Sequence, residues 1–108
     1  MSELYHKTLA AGRWNNMSLV KQMANIGSEV SRAILWRRKN LNYSQKAADR
    51  ALELLDFTLE DKKNKNRKEL WRIREALADF FYFDNQFHSS DRSWQIYFNA
   101  FAYAANMS

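Results

Sequence analysis

At 108 residues the chain has room for one domain, which at this size buries roughly two thirds of its unfolded surface. It has no proline, two glycines and no cysteine, which argues against a hairpin-rich fold and rules out disulfides and thiolate metal sites. Seventeen Lys and Arg against twelve Asp and Glu leave a net charge of +5. The first residues, MSELYHKTLAAGRW, carry no apolar run of signal-peptide length, and no apolar stretch reaches bilayer length, so the expectation is a soluble, cytoplasmic protein with no membrane role.

Residues 1–17 read as an arm, or as a short helix over Glu3 to Ala11 stopped by Gly12; residues 18–108 read as the folded domain. Ser18 is a suitable N-cap for a first helix reaching about Arg38. Leu19, Met23, Ile26, Val30, Ala33 and the stem of Arg37 follow its three-four period. Gly27 costs a helix about 1 kcal/mol relative to Ala, so its place near that stripe predicts a tight helix crossing. Ser44 is the expected cap of a second helix running to about Asp61, with Ala48, Ala51, Leu52, Leu55 and Leu59 as its stripe. Lys62 to Lys65 read as a polar turn, and Asn66 with Glu69 as a capping box for a third helix built on Leu70, Ile73, Leu77, Phe80 and Phe81. Asp84-Asn85-Gln86 breaks the pattern, and Ser90-Asp91 restarts it as a fourth helix carrying Trp94, Tyr97, Phe98, Phe101 and Ala105. Segments of similar length joined by short links predict an all-α, antiparallel up-down-up-down four-helix bundle.

Charge is unevenly placed. Lys62, Lys63, Lys65, Arg67, Lys68, Arg72 and Arg74 are opposed within their own stretch only by Glu69. In an up-down bundle this run would share an end with Lys21, and with Arg13 and Lys7 of the arm. Arg37, Arg38, Lys39 and Lys46 would sit at the other end. Two basic surfaces of this kind suit contact with phosphate backbones, so the run from Lys62 to Arg72 and the trio Arg37, Arg38 and Lys39 are the candidate nucleic-acid-binding residues, with RNA favoured over DNA. Lys and Arg also collect at helix C-termini and in solvated turns for purely structural reasons.

Ten of the sixteen aromatic residues lie between Phe80 and Tyr103. One inward stripe does not accommodate them all, and Tyr82, Phe83, Ile96 and Tyr103 fall off it. Tyr82, Phe83, Trp94, Tyr97 and Tyr103 are therefore the candidate oligomer or partner interface. A thick aromatic core against the alanine-rich second helix is the structural alternative.

Catalytic patterns are poor. The only histidines are His6 and His88, and no Arg precedes either at the spacing of a HEPN-type helical ribonuclease. Glu3-x-x-His6 has the spacing of one di-metal ligand pair, but no second copy exists, so no metal or cofactor is expected. Ser89, Ser90 and Asp91 read as capping residues, and Asp49, Glu53, Asp56 and Glu60 as a solvated acidic face that pairs with Arg50 or lysines.

The segments LVKQMANIGSEVSRAILWRRKN, YSQKAADRALELLDFTLED and ELWRIREALADFF together resemble a family of small four-helix proteins. It comprises the proteins encoded in intervening sequences of 23S ribosomal RNA genes and the accessory variability protein (Avd) of diversity-generating retroelements. The resemblance spans roughly Leu19 to Ala105 and rests on helix pattern and size. It implies a non-enzymatic accessory subunit, a basic pentamer that binds a reverse transcriptase and its template RNA, and it transfers no residue-level binding motif. The alternative from the residues alone is a protein-interaction or oligomerisation bundle that binds no nucleic acid.

Overall fold

The computed structural model describes residues 12–107. The expectations for Glu3, His6 and Lys7 lie outside them. Residues 12–15 are helical, and four longer helices follow in order: α1 (Leu19–Trp36), α2 (Leu41–Glu60), α3 (Lys68–Tyr82) and α4 (Asp91–Met107), with a 3-10 turn (Lys62–Asn64) between α2 and α3. Among the described residues there is no strand, and no helix is long and apolar enough to cross a membrane.

α1 begins where its cap predicts: Ser18 Oγ accepts from the Lys21 amide at 3.2 Å. Its buried face is Gln22, Met23, Ile26, Gly27, Val30 and Ala33, the expected stripe widened by one polar residue and one glycine. α2 starts earlier than expected. Asn40, not Ser44, is its cap, accepting from the Tyr43 amide at 3.2 Å. Ser44 is buried inside the helix, and its hydroxyl donates to Ala33 O at 2.6 Å. That carbonyl is one of the last four of α1 and has no partner within the helix, so Ser44 satisfies it from α2.

α3 also departs from expectation. Asn66 takes a left-handed conformation (φ 72°) and Arg67 precedes the helix without a side-chain cap, so the capping box of Asn66 and Glu69 does not form. The link after α3 is held by its own polar side chains. The buried Asp79 carboxylate accepts from the Phe87 amide at 3.0 Å, and Asn85 exchanges two hydrogen bonds with the Ser89 backbone at 2.8 and 2.9 Å. α4 opens with a reciprocal cap in which Ser90 and Ser93 each accept the other's amide, at 3.0 and 2.9 Å.

α1 packs closely on α2 and on α4, and α2 on α3. Small residues permit both α1 contacts: Ala47, Ala48 and Ala51 on α2, and Gly27 facing Phe98 of α4. α3 and α4 keep their backbones further apart and are bridged by long side chains. The rings of Phe80 and Trp94 stand 6.4 Å apart, and Tyr97 donates to Glu69 at 3.2 Å.

Residues 12–17 belong to this packing. Gly12 does not stop a helix, since residues 12–15 are helical, and Trp14 is buried in the main core.

Candidate nucleic-acid interface

The turn after α2 is anchored by a buried polar network. Gln22 donates to Trp14 O at 3.0 Å and to Asp61 Oδ2 at 2.9 Å, while Asn64 donates to Gln22 Oε1 and to Thr58 O, both at 3.0 Å. The Trp14 indole donates to Thr58 Oγ1 at 2.9 Å, and the Thr58 hydroxyl donates to Leu54 O at 2.8 Å. Lys63 closes the set: its amide donates to Asp61 Oδ1 at 3.1 Å, and its ammonium bridges Asp61 and Asn15 O, the latter at 2.9 Å. Burial alone would push the Asp61 carboxyl up. The hydrogen bonds from Lys63 and Gln22, with the Lys63 charge, outweigh that and hold it below its ordinary value.

This network divides the predicted basic residues. Lys63 is bonded to Asp61 and Asn15 O, which gives it a structural role in the turn. Arg74 is likewise held by Asp56, through Nε at 3.0 Å and Nη2 at 3.4 Å, and its guanidinium is held more firmly protonated by that bond. Lys62, Lys65, Arg67, Lys68 and Arg72 are exposed and have no side-chain partner among the described residues. The network orients the turn, and the five cations project from it and from the first turns of α3.

At the other end of α2, about 30 Å away at the helical rise, Arg37 is also structural. Its guanidinium lies 4.4 Å from the Phe80 ring centroid and 5.1 Å from that of Phe81, and it pairs with Asp91 at 3.5 Å. It fastens α1 to the end of α3 and the start of α4. Arg38 and Lys39 are exposed and free of side-chain partners among the described residues. Of the nine predicted cations, seven have no side-chain partner among the described residues, five of them at the turn end.

The aromatic predictions divide in the same way. Trp94 is 5% exposed and lies in the core, stacked on Phe98 at 6.0 Å. It offers no free surface, because its position on the α4 stripe turns it toward α1 and α3. Tyr97 is half-buried against the same core. Burial, with the charge and hydrogen bond of Glu69, pushes its hydroxyl well above the ordinary tyrosine value. Tyr82 donates to Asp49 and to Gln45 O at 3.2 Å, tying α3 to α2; burial, then that hydrogen bond and the Asp49 charge, push it up to about 12. Phe83 (74% exposed) and Tyr103 (69%) face solvent. Tyr103 belongs to a stripe not foreseen as such: Ile96, Ala100, Tyr103 and Met107 are all exposed and follow a four-three-four spacing along one face of α4.

A second feature missed by the sequence reading is Trp71, 59% exposed amid the free cations. The signal was present, since Trp71 falls about 100° from the Leu70, Ile73 and Leu77 stripe.

A groove of about 570 Å³ runs between residues 13–17, α1 and α2. Its carboxylates Glu29 and Glu53 pair with Arg32 at 3.1 Å and Arg50 at 3.5 Å, and among the described residues no histidine lines it. Among the described residues no three His, Asp or Glu converge as a metal cage. Three of the four carboxylates on the acidic face of α2 are partnered: Asp49 by Tyr82, Glu53 by Arg50, Asp56 by Arg74. Compared with known proteins, the chain matches no family model, no curated protein and no solved structure at a significant level.

Proposed function

We propose that the chain is a non-enzymatic, basic accessory module of the cytoplasm, an antiparallel up-down-up-down four-helix bundle that binds RNA at one end and assembles with copies of itself. The alternation of direction is supported by which ends meet: Ser44 near the start of α2 joins Ala33 near the end of α1, and Arg37 joins Phe80 and Asp91. The observation that supports the RNA reading is the group of five exposed cations, Lys62, Lys65, Arg67, Lys68 and Arg72, that have no carboxylate partner among the described residues. In the same chain Arg32, Arg37, Arg50, Lys63 and Arg74 are all paired. Unpaired like charges crowded at one end repel each other and are relieved by a polyanion.

The resemblance to retroelement accessory proteins extends the proposal to a pentamer that engages a reverse transcriptase. Changing the five cations together to Ala tests the RNA surface. Affinity for single-stranded RNA is expected to fall roughly tenfold or more at low salt, with a flatter salt dependence. Lys63→Ala should instead lower stability. Binding unaltered in the five-fold variant would refute the surface.

A second reading, a protein-interaction bundle without nucleic acid, is favoured by the exposed α4 stripe. Failure of the native chain to retain any nucleic acid at low salt would select it.

A further inference from the structure

We infer that Trp71 is a stacking platform for an unpaired base of single-stranded RNA, framed by Arg67, Lys68 and Arg72. The inference rests on the nucleic-acid reading above and adds the strandedness of the ligand.

Trp71 stands apart from the other described tryptophans. Trp14 and Trp94 are buried, and Trp36 is half-buried with Tyr43 packed edge-on against it at 5.4 Å. Trp71 lies in the first turns of α3, is 59% exposed, and has no ring partner among the described residues. Side chains on a helix lean toward its N-terminus, and three and four residues before Trp71 come Lys68, which opens α3, and Arg67, which precedes it. Both are exposed and have no side-chain partner among the described residues, as is true of the adjacent Arg72.

The neighbours of Trp71 decide what fits it. Its helical neighbours three and four residues away are Arg67, Lys68, Arg74 and Glu75, none of them apolar. A protein interface would surround a buried indole with apolar contacts, as the Ile96, Ala100 and Tyr103 stripe does for its own members. An exposed π-face flanked by Arg67, Lys68 and Arg72, with Glu75 and the Asp56-bound Arg74 one turn further on, instead matches a nucleotide, with the base on the indole and the flanking phosphates on the guanidinium and ammonium groups. Bases of a duplex are stacked on one another and offer no free face, so the ligand is single-stranded.

The test uses the full chain with a short oligouridylate and a fully paired RNA duplex as probes. Trp71→Ala is expected to weaken oligouridylate binding roughly ten- to hundredfold with an unchanged salt slope, and to leave duplex binding within about twofold. Trp71→Phe should retain part of the affinity, and unchanged circular dichroism and melting would exclude misfolding. If Trp71→Ala binds oligouridylate as the native chain does while the five-fold cation variant fails, stacking is refuted and the basic surface stands. If the native chain binds neither probe at low salt, both readings fall. If the variant loses self-association and not RNA, the indole is a protein contact and the inference is overturned.

Discussion

A Cβ placed on Gly27 of α1 would lie 2.7 Å from Cβ of Phe98 in α4, and 3.0 Å from its Cγ. The two helices therefore touch at a point with no room for a methyl group. Gly27→Ala gains about 1 kcal/mol of helix propensity but forces the crossing apart, and overpacking of this kind costs about 1–3 kcal/mol. The expected outcome is a lower melting temperature, by about 4–8 °C per kcal/mol lost. Phe98→Ala should not rescue it, because the closest atom, Cβ, remains.

The Asp61 network gives the protein a pH dependence. The carboxyl is held below its unfolded value, so its contribution is complete above about pH 4, the ordinary carboxylate pKa, and is lost as pH falls through the folded value. Urea unfolding across the acid range should show stability declining there, and less steeply in Asp61→Asn. Gln22→Ala strips partners from both Asp61 and Asn64 and is expected to cost about 1–3 kcal/mol at neutral pH.

Tyr82 shifts in the opposite sense. Its folded value, about 12, lies above the ordinary phenol pKa of about 10. The contribution is present below that ordinary value and disappears as pH rises through the folded one. An ultraviolet-absorbance titration should find one phenol ionising near that value that is missing in Tyr82→Phe, and the variant should lose less stability than the native chain when taken to alkaline pH.

The α4 stripe predicts self-association. Ile96, Ala100, Tyr103 and Met107 extend over roughly 16 Å of helix, and no described side chain covers them. Ile96→Glu with Tyr103→Glu should shift sedimentation to the monomer and leave the helical signal unchanged, since both side chains are exposed. A native chain that sediments as a monomer at micromolar concentration would refute the stripe as an interface.

The legible parts of the fold are those written in local spacing. Ser18 and Ser90 cap the helices they precede, and the apolar stripes of α1 and α4 run through residues the structure buries. Gly27 could be read as a crossing because a helix keeps a glycine only against a cost. The choice between Asn40 and Ser44 was not legible. Both residue types cap helices, and the partner that holds Ser44 inside α2, the Ala33 carbonyl, lies eleven residues earlier. The basic run was visible as charge, but its division was not, because Lys63 is withdrawn from it by Asp61 and by the Asn15 carbonyl across a long chain separation.

The sequence by itself determined the helical class, most helix ends and the presence of a cationic stretch, because each depends on neighbours within a turn or two. Tertiary structure alone decided that Gln22, Thr58, Asp61 and Asn64 are buried. A polar side chain is stable inside only when its partners arrive from elsewhere in the chain, and pattern cannot announce them. It also decided that Gly27 leaves space for Phe98 alone, that Trp94 faces inward, and that Trp71 stays outside among unpaired cations.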